Sequence, residues 1–202
     1  KDSGFVKYIS ENINIPVINA GDGKHAHPTQ ALLDLFTIYN HFKSLEKIKI
    51  AIVGDILNSR VARSDMLLFK KMDFDVSTVS PSMLLPEDMG YFNTVNFNCI
   101  DDIVEQYDVI YMLRMQFERQ NKKFYPSVRE YNRFFSMNLQ RFGRMKKGAL
   151  LMHPGPVNRG IEIDGRILDM EDDHHERIKI SEQVENGVAV RMTLLHYLLS
   201  NQ

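Results

Sequence analysis

Four short apolar runs, IKIAIV (48–53), DFDVSTVS (73–80), DVIYML (108–113) and ALLMHP (149–154), alternate along the chain with segments of helical period. Runs this short and this rich in branched residues read as buried strands. Strands separated by helices pair through crossovers, and crossovers make a parallel sheet with helices on both faces. This alternation limits the fold more than any other feature and assigns the chain to the α/β class. VARSDMLLFKKM (61–72) follows the first strand as a helix with Ala62, Met66 and Phe69 on one face, extended by Leu68 and Met72. IDDIVEQY (100–107) reads as a short helix offering Ile103, Val104 and Tyr107 for packing, and SVREYNRFFSMNLQRFGRM (127–145) as one long helix stopped by Gly148. Two more helices are expected to bury apolar stripes. Leu32, Leu35, Phe36 and Tyr39 form the stripe after AGDGKHAHPTQ, and Val188, Met192, Leu195 and Leu199 form the terminal one.

Composition narrows the class further. With 202 residues, 44% hydrophobic and 25% charged, the chain has the make-up of an ordinary globular protein. A net charge of −1 offers no basic excess for nucleic acid. No run of about 18 apolar residues suggests a membrane span, and the N-terminal stretch lacks a signal-peptide core. One cysteine, Cys99, forms no internal disulfide. A cytoplasmic location is the expectation. The first methionine is Met66, which fits a piece of a longer product. No repeat or low-complexity linker divides the chain.

In parallel sheets, ligands sit beyond the carboxyl ends of the strands. Those ends carry Arg60 in NSRVARS, Arg114 and Gln116 in YMLRMQFER, and His153–Pro156 in MHPGPVNRG. A guanidinium after a strand either clamps a carboxylate or phosphate bidentately or pairs with a local acid; two at matching ends favour a dicarboxylate. HPTQ (27–30) opens a helix, with Pro28 suited to the first helical position. There His27 and Thr29 either cap the helix or, with Gln30, face a carbonyl or amide ligand at the positive dipole end. HPGP exposes backbone carbonyls on a stiff segment that admits a cis Gly155–Pro156 bond. Arg159 either meets an anion or braces this loop. DDHH (172–175) has metal-ligand residue types but no supporting geometry. VGDILNS lacks the glycines of a dinucleotide fingerprint, and no serine elbow or activated cysteine is present. His25, His41 and His196 read as surface or helix residues.

PVINAGDGKHAHPTQALLDLFTI, GDILNSRVARS, YMLRMQFER, MHPGPVNRGIEI and ENGVAVRM together resemble the aspartate carbamoyltransferase catalytic chains over nearly the whole length. HPTQ is shared with the ornithine branch, whereas RMQ and HPGP resemble the aspartate branch; ornithine enzymes usually carry HCLP at the latter place. The resemblance implies two α/β domains, one for carbamoyl phosphate and one for L-aspartate, and a homotrimer with active sites between chains. Some members add a separate regulatory subunit. It implies His27 bonding the carbonyl oxygen of carbamoyl phosphate, Gln30 its amide, and the carbonyls of Gly155 and Pro156 receiving the amide protons. Arg60 and Arg114 would grip the carboxylates of aspartate, with Gln116 supporting. No metal or cofactor is implied.

The family's STRT phosphate motif, a lysine loop from a neighbouring chain and a further arginine have no counterpart in this sequence. Residues 1–30 are thus expected to be the tail of the carbamoyl-phosphate domain, 31–184 the aspartate domain, and 185–202 a helix returning to the first domain. The implied reaction yields N-carbamoyl-L-aspartate for pyrimidine synthesis, with negligible turnover by this piece alone. The competing readings are a non-catalytic amino-acid-binding or partner-binding domain and an ornithine-type transferase.

Overall fold

The computed structural model describes residues 3–115, 127–172 and 175–200. Strands β1 (Lys49–Val53), β2 (Asp75–Val79), β3 (Val95–Phe97), β4 (Val109–Met112) and β5 (Leu150–Met152) form one parallel sheet, ordered β3-β2-β1-β4-β5. The chain runs outward from β1 to β3, then returns to add β4 on the other side. The strand order therefore reverses between β1 and β4, where a doubly wound sheet opens a crevice.

Side chains alternate across each strand, so β1 feeds two cores. Ile50 and Ile52 pack with Ile38, Ala62, Met66 and Phe69, while Ala51 and Val53 pack with Tyr131, Phe135, Phe142 and Ile167. The first face is covered by α2 (Pro28–Phe42), α3 (Arg60–Lys71) and the short α4 (Met89–Phe92). The second is covered by α5 (Val128–Phe134), α6 (Leu139–Arg144) and α7 (Gly165–Asp172). α1 (Phe5–Asn12) precedes this unit, and the long α8 (Ile180–Ser200) lies along α2 and β5. None of the described helices is long and apolar enough to cross a membrane.

The parallel sheet with helices on both faces and the burial of Ala62, Met66 and Phe69 on α3 agree with the sequence expectation. Four details differ. The segment 127–145 is two helices, because Met137 leaves the helical path to pair with Ile163 and Asn138 then caps α6 by accepting the Arg141 N–H at 2.9 Å. The buried Arg141 guanidinium bonds the carbonyls of Asn132, Arg133 and Ser136, which the end of α5 leaves open. IDDIVEQY holds only a 3-10 turn, Ile100–Asp102, although Ile103, Val104 and Tyr107 are buried as expected. Strand β3 and helix α7 carry weak patterns and went unread.

The fourth difference is the largest. On α2 most of the periodic apolar stripe is not buried: Leu32, Phe36 and Tyr39 are 36%, 38% and 46% exposed, while Leu35 packs against the core. Its covered face carries Gln30, Leu33, Asp34, Thr37 and Ile38. Val188, Met192, Leu195 and Leu199 of α8 are each more than half exposed, and α8 docks instead through Ile180, Gln183 and Gly187. A Cβ on Gly187 would stand 3.1 Å from Leu33 of α2, so the missing side chain lets the two helices approach. Periodicity locates a face but not which face the rest of the chain covers. α2 also runs unbroken through residue 30.

Candidate active site

Residue 27 is the N-cap of α2, followed by Pro28 as expected, but the imidazole makes no capping bond. The His27 backbone N–H is instead held by Ser64 Oγ of α3 at 2.8 Å, which fixes where the ring leaves the helix. Thr29 Oγ1 lies 3.4 Å from Nδ1. A hydroxyl proton donated there leaves Nε2–H to donate to a ligand. Burial, then the charges of Arg60 and Arg191, lower the His27 pKa from 6.5 to about 4. The ring is therefore neutral at pH 7 and can serve as a hydrogen-bond donor but not as a cation.

Arg60 opens α3 at the carboxyl end of β1. Ser59 caps that helix by accepting the Ala62 N–H at 3.1 Å, so the arginine leaves from a fixed first turn. Its guanidinium lies flat on Gly21, where an added Cβ would sit 2.7 Å from Cζ, and Gly21 also has a φ of 129°. Glycine is needed there twice over, for contact and for conformation. Arg114 follows β4, the strand next to β1. The next residue is anchored, because Met115 N–H donates to Glu162 at 2.7 Å. Glu162 also accepts from the Asn158 backbone N–H at 2.8 Å and from its Nδ2 at 2.7 Å. This buried carboxylate thus ties the segment carrying Arg114 to the loop after β5. Burial raises its pKa, and the bonds from Met115 and Asn158 oppose that shift.

In that loop the Gly155–Pro156 bond is cis. His153 Nδ1 accepts the Gly155 N–H at 2.9 Å, and the His153 N–H is accepted by Gln183 Oε1 of α8 at 2.9 Å. Burial and the Arg114 charge push the His153 pKa down to about 3, so this ring too is neutral. The loop is held from inside by an imidazole and from behind by an amide.

These pieces meet in one cavity of about 210 Å³. His27, Gln30, Arg60, Arg114, Gly155 and Pro156 all line it, six positions from four separate stretches of sequence. Gln116 lies outside the described residues. Ser59, Val61 and Pro154 complete the lining, of which Ser59 and Val61 were not foreseen. No carboxylate lines it among the described residues, so two guanidinium groups and a neutral donor face the space. Such a site suits a small molecule with two acidic groups and a carbonyl.

Other sequence candidates resolve differently. Arg159 pairs with Asp169 and braces its loop. Of DDHH, 173 and 174 lie outside the described residues; the His175 ring sits 5.2 Å from that of Phe142, edge to face. Among the described residues, no cluster of three or more His, Cys, Asp or Glu is placed to hold a metal. Burial, foremost, raises the Cys99 pKa, the reverse of activation. Sequence reasoning missed the supports Asp34, Glu162 and Gln183. An acid four residues after Gln30, and one between two isoleucines in GIEID, were the available signals.

The family described as "Aspartate/ornithine carbamoyltransferase, Asp/Orn binding domain" matches residues 46–198, and its "carbamoyl-P binding domain" matches residues 2–40. The aspartate carbamoyltransferase catalytic subunit of Halothermothrix orenii is 44% identical, over 98% of this chain and 62% of its own length. The catalytic subunit of M. jannaschii aspartate transcarbamoylase superposes with a TM-score of 0.78 at 31% identity, covering 100% of this chain and 65% of that one. The Trypanosoma cruzi aspartate transcarbamoylase, solved with N-(phosphonacetyl)-L-aspartic acid, gives 0.79 at 25% identity over 96% of this chain and 62% of that one. The chain thus spans a little under two thirds of the length of these relatives. With both family domains matched in order, and the crevice of a doubly wound sheet lined as described, the chain belongs to the aspartate/ornithine carbamoyltransferase family.

Proposed function

We propose that this chain carries the aspartate half of an aspartate carbamoyltransferase site: the uncharged α-amino group of L-aspartate attacks the carbonyl carbon of carbamoyl phosphate. The C–N bond forms as the C–O bond to phosphate breaks, and the leaving phosphate takes the amine proton. Arg60 and Arg114 hold the two aspartate carboxylates, with Gln116 in support. Neutral His27 donates to the carbamoyl oxygen, where negative charge grows as the amine attacks. Gln30 and the carbonyls of Gly155 and Pro156 take the carbamoyl amide. Catalysis comes from fixing two reactants in register and from donors already aimed at the developing charge. The product, N-carbamoyl-L-aspartate, belongs to pyrimidine synthesis.

The observation that carries this reading is the convergence of six positions from four stretches of sequence on one cavity that no carboxylate lines among the described residues. The aspartate branch is favoured over the ornithine branch because two guanidinium groups suit a dicarboxylate and would repel a second amine. Residues 1–30 and 185–202 belong, on this reading, with the carbamoyl-phosphate half. The exposed stripes of α2 and α8 then meet that half, and a cytoplasmic homotrimer completes each site from a neighbouring chain. This chain alone turns over negligibly.

The test is titration of succinate and of N-(phosphonacetyl)-L-aspartic acid into the purified chain, wild type and with Arg60→Ala or Arg114→Ala, followed by calorimetry. Each variant is expected to weaken succinate by about tenfold or more, the loss of one charge-assisted pair. Equal affinity in all three proteins removes the arginine clamp. Rapid production of carbamoyl-aspartate by the chain alone contradicts its dependence on further segments.

A further inference from the structure

Behind Gln30, inside the contact between α2, α3, β4 and α8, lies a carboxylate that touches no cavity described above. Asp34 is fully buried. It accepts from Tyr111 Oη at 2.8 Å, from Gln183 Nε2 at 2.6 Å, and from Gln30 Nε2 at 3.2 Å. The fourth neighbour is Asp65 of α3, whose two carboxyl oxygens are buried with no N–H or O–H donor among the described residues. Two carboxylates in contact in a dry interior do not both ionise. Asp34 already has three donors and Asp65 has none, and burial with the neighbouring Asp34 charge holds the Asp65 carboxyl well above the usual carboxylate range, so Asp65 is the better holder of the proton and can donate it to Asp34. Two carboxylate oxygens offer about four acceptor sites, and four donors fill them.

Two of those donors lead into the site. Gln30 lines the cavity, and with Nε2 donating to Asp34 its Oε1 is left as an acceptor for an amide N–H. Gln183 bridges from Asp34 to the His153 N–H, and His153 Nδ1 in turn holds the Gly155 N–H. Gln30 and Gly155 stand on different walls of the one cavity. We propose that Asp34 is a positioning residue that sets both walls of the carbamoyl pocket at once, Gln30 directly and the 153–156 loop through Gln183. The ligand assignment rests on the reading under Proposed function; the positioning itself does not. Asp65 and Tyr111 are the titratable groups facing Asp34, and Gln30 and Gln183 are its uncharged partners.

Asp34→Asn tests this, because an amide has one acceptor oxygen and strands two of the four donors. In the ligand-free chain, the side-chain amide resonances of Gln30 and the backbone amide resonances of His153 and Gly155 are expected to shift and to exchange faster with solvent. Affinity for N-(phosphonacetyl)-L-aspartic acid is expected to fall about tenfold, one hydrogen bond's worth. Affinity for succinate, held by Arg60 and Arg114, is expected to change less than about twofold, whereas general loosening lowers both. Gln183→Met cuts only the loop arm: it should move His153 and Gly155 and spare Gln30. It also decides the loop arm if Asp34→Asn does not fold. Unmoved Gln30, His153 and Gly155 resonances in folded variants overturn the proposal, as does an equal loss of both ligands. If the wild type binds neither ligand, the carbamoyltransferase reading fails, while the resonances of the free chain still decide the role of Asp34.

Discussion

Helices α2 and α3 lie side by side on the same face of the sheet, yet they bury different mixtures of surface: α2 buries Leu33 and Ile38 together with more polar groups, and α3 buries Ser64 and Asp65 beside a larger apolar set. α3 turns Ala62, Met66 and Phe69 inward. α2 turns Gln30, Asp34 and Thr37 inward and leaves Leu32, Phe36 and Tyr39 outside. The polar face of α2 is tolerable because each group has a partner. Thr37 Oγ1 donates to the Leu33 carbonyl at 2.8 Å and accepts from Asn186 Nδ2 at 2.9 Å, while Asp34 is saturated by its four neighbours. Satisfied polar burial adds little net stability but fixes geometry closely. α3 therefore supplies cohesion, and α2 supplies the aim of the side chains at its N-terminus.

The contrast is broken most directly from the α3 side. Phe69 is fully buried, with its ring 5.6 Å from that of Phe74. Phe69→Ala is expected to cost about 3–5 kcal/mol, read as a lower urea midpoint at unchanged slope. A cost under about 1 kcal/mol would mean that this face is not the cohesive one.

Where α3 meets the polar face of α2, Asp65→Asn is expected to stabilise, and only above acid pH. Burial raises the pKa of both Asp34 and Asp65, and the charge on Asp34 raises Asp65 further. The unfolded chain releases both protons near pH 3.9. Above that, the folded state binds more protons than the unfolded one, so this pair lowers stability as pH rises. An asparagine amide supplies the same donor without a proton. The gain should be near zero at pH 4 and grow by about 1.4 kcal/mol for each pH unit over which the folded chain keeps the Asp65 proton. His27 and His153 slope the other way. Their folded values, about 4 and about 3, lie below the ordinary imidazole value of 6.5, so their contribution is present above pH 6.5 and lost as pH falls. Both proteins share them, so the difference between urea curves at the two pH values isolates the pair. A difference independent of pH rules out the shared proton.

Legibility in the sequence follows the same divide. The strands and α3 were readable because apolar burial has a period, and Arg60, Arg114 and Gly155–Pro156 were readable because chemistry collects at strand ends. Asp34, Asp65, Gln183 and Glu162 were not. Their partners lie as far as 149 residues away, for Gln183 and Asp34, and no local pattern marks a satisfied buried acid. Met137 likewise leaves its helix for a pairing with Ile163 that no window around residue 137 contains. The α2 stripe was visible, but periodicity is blind to which side the remaining chain covers.

The smallest expected effect sharpens that last point. If the outer face of α2 contributes nothing to the fold of this chain, Phe36→Ser should change its stability by less than about 0.5 kcal/mol, as at an ordinary surface position. Removing the ring takes away apolar area that is already more than a third in water, and the polar face behind it keeps all its bonds. The same variant should raise solubility, since an exposed apolar stripe invites self-association. Urea unfolding with sedimentation of both proteins measures the two effects separately. A loss of 2 kcal/mol or more, on the scale of burying a Phe side chain, would show that Phe36 is part of the core after all and that α2 does not divide its two faces between cohesion and aim.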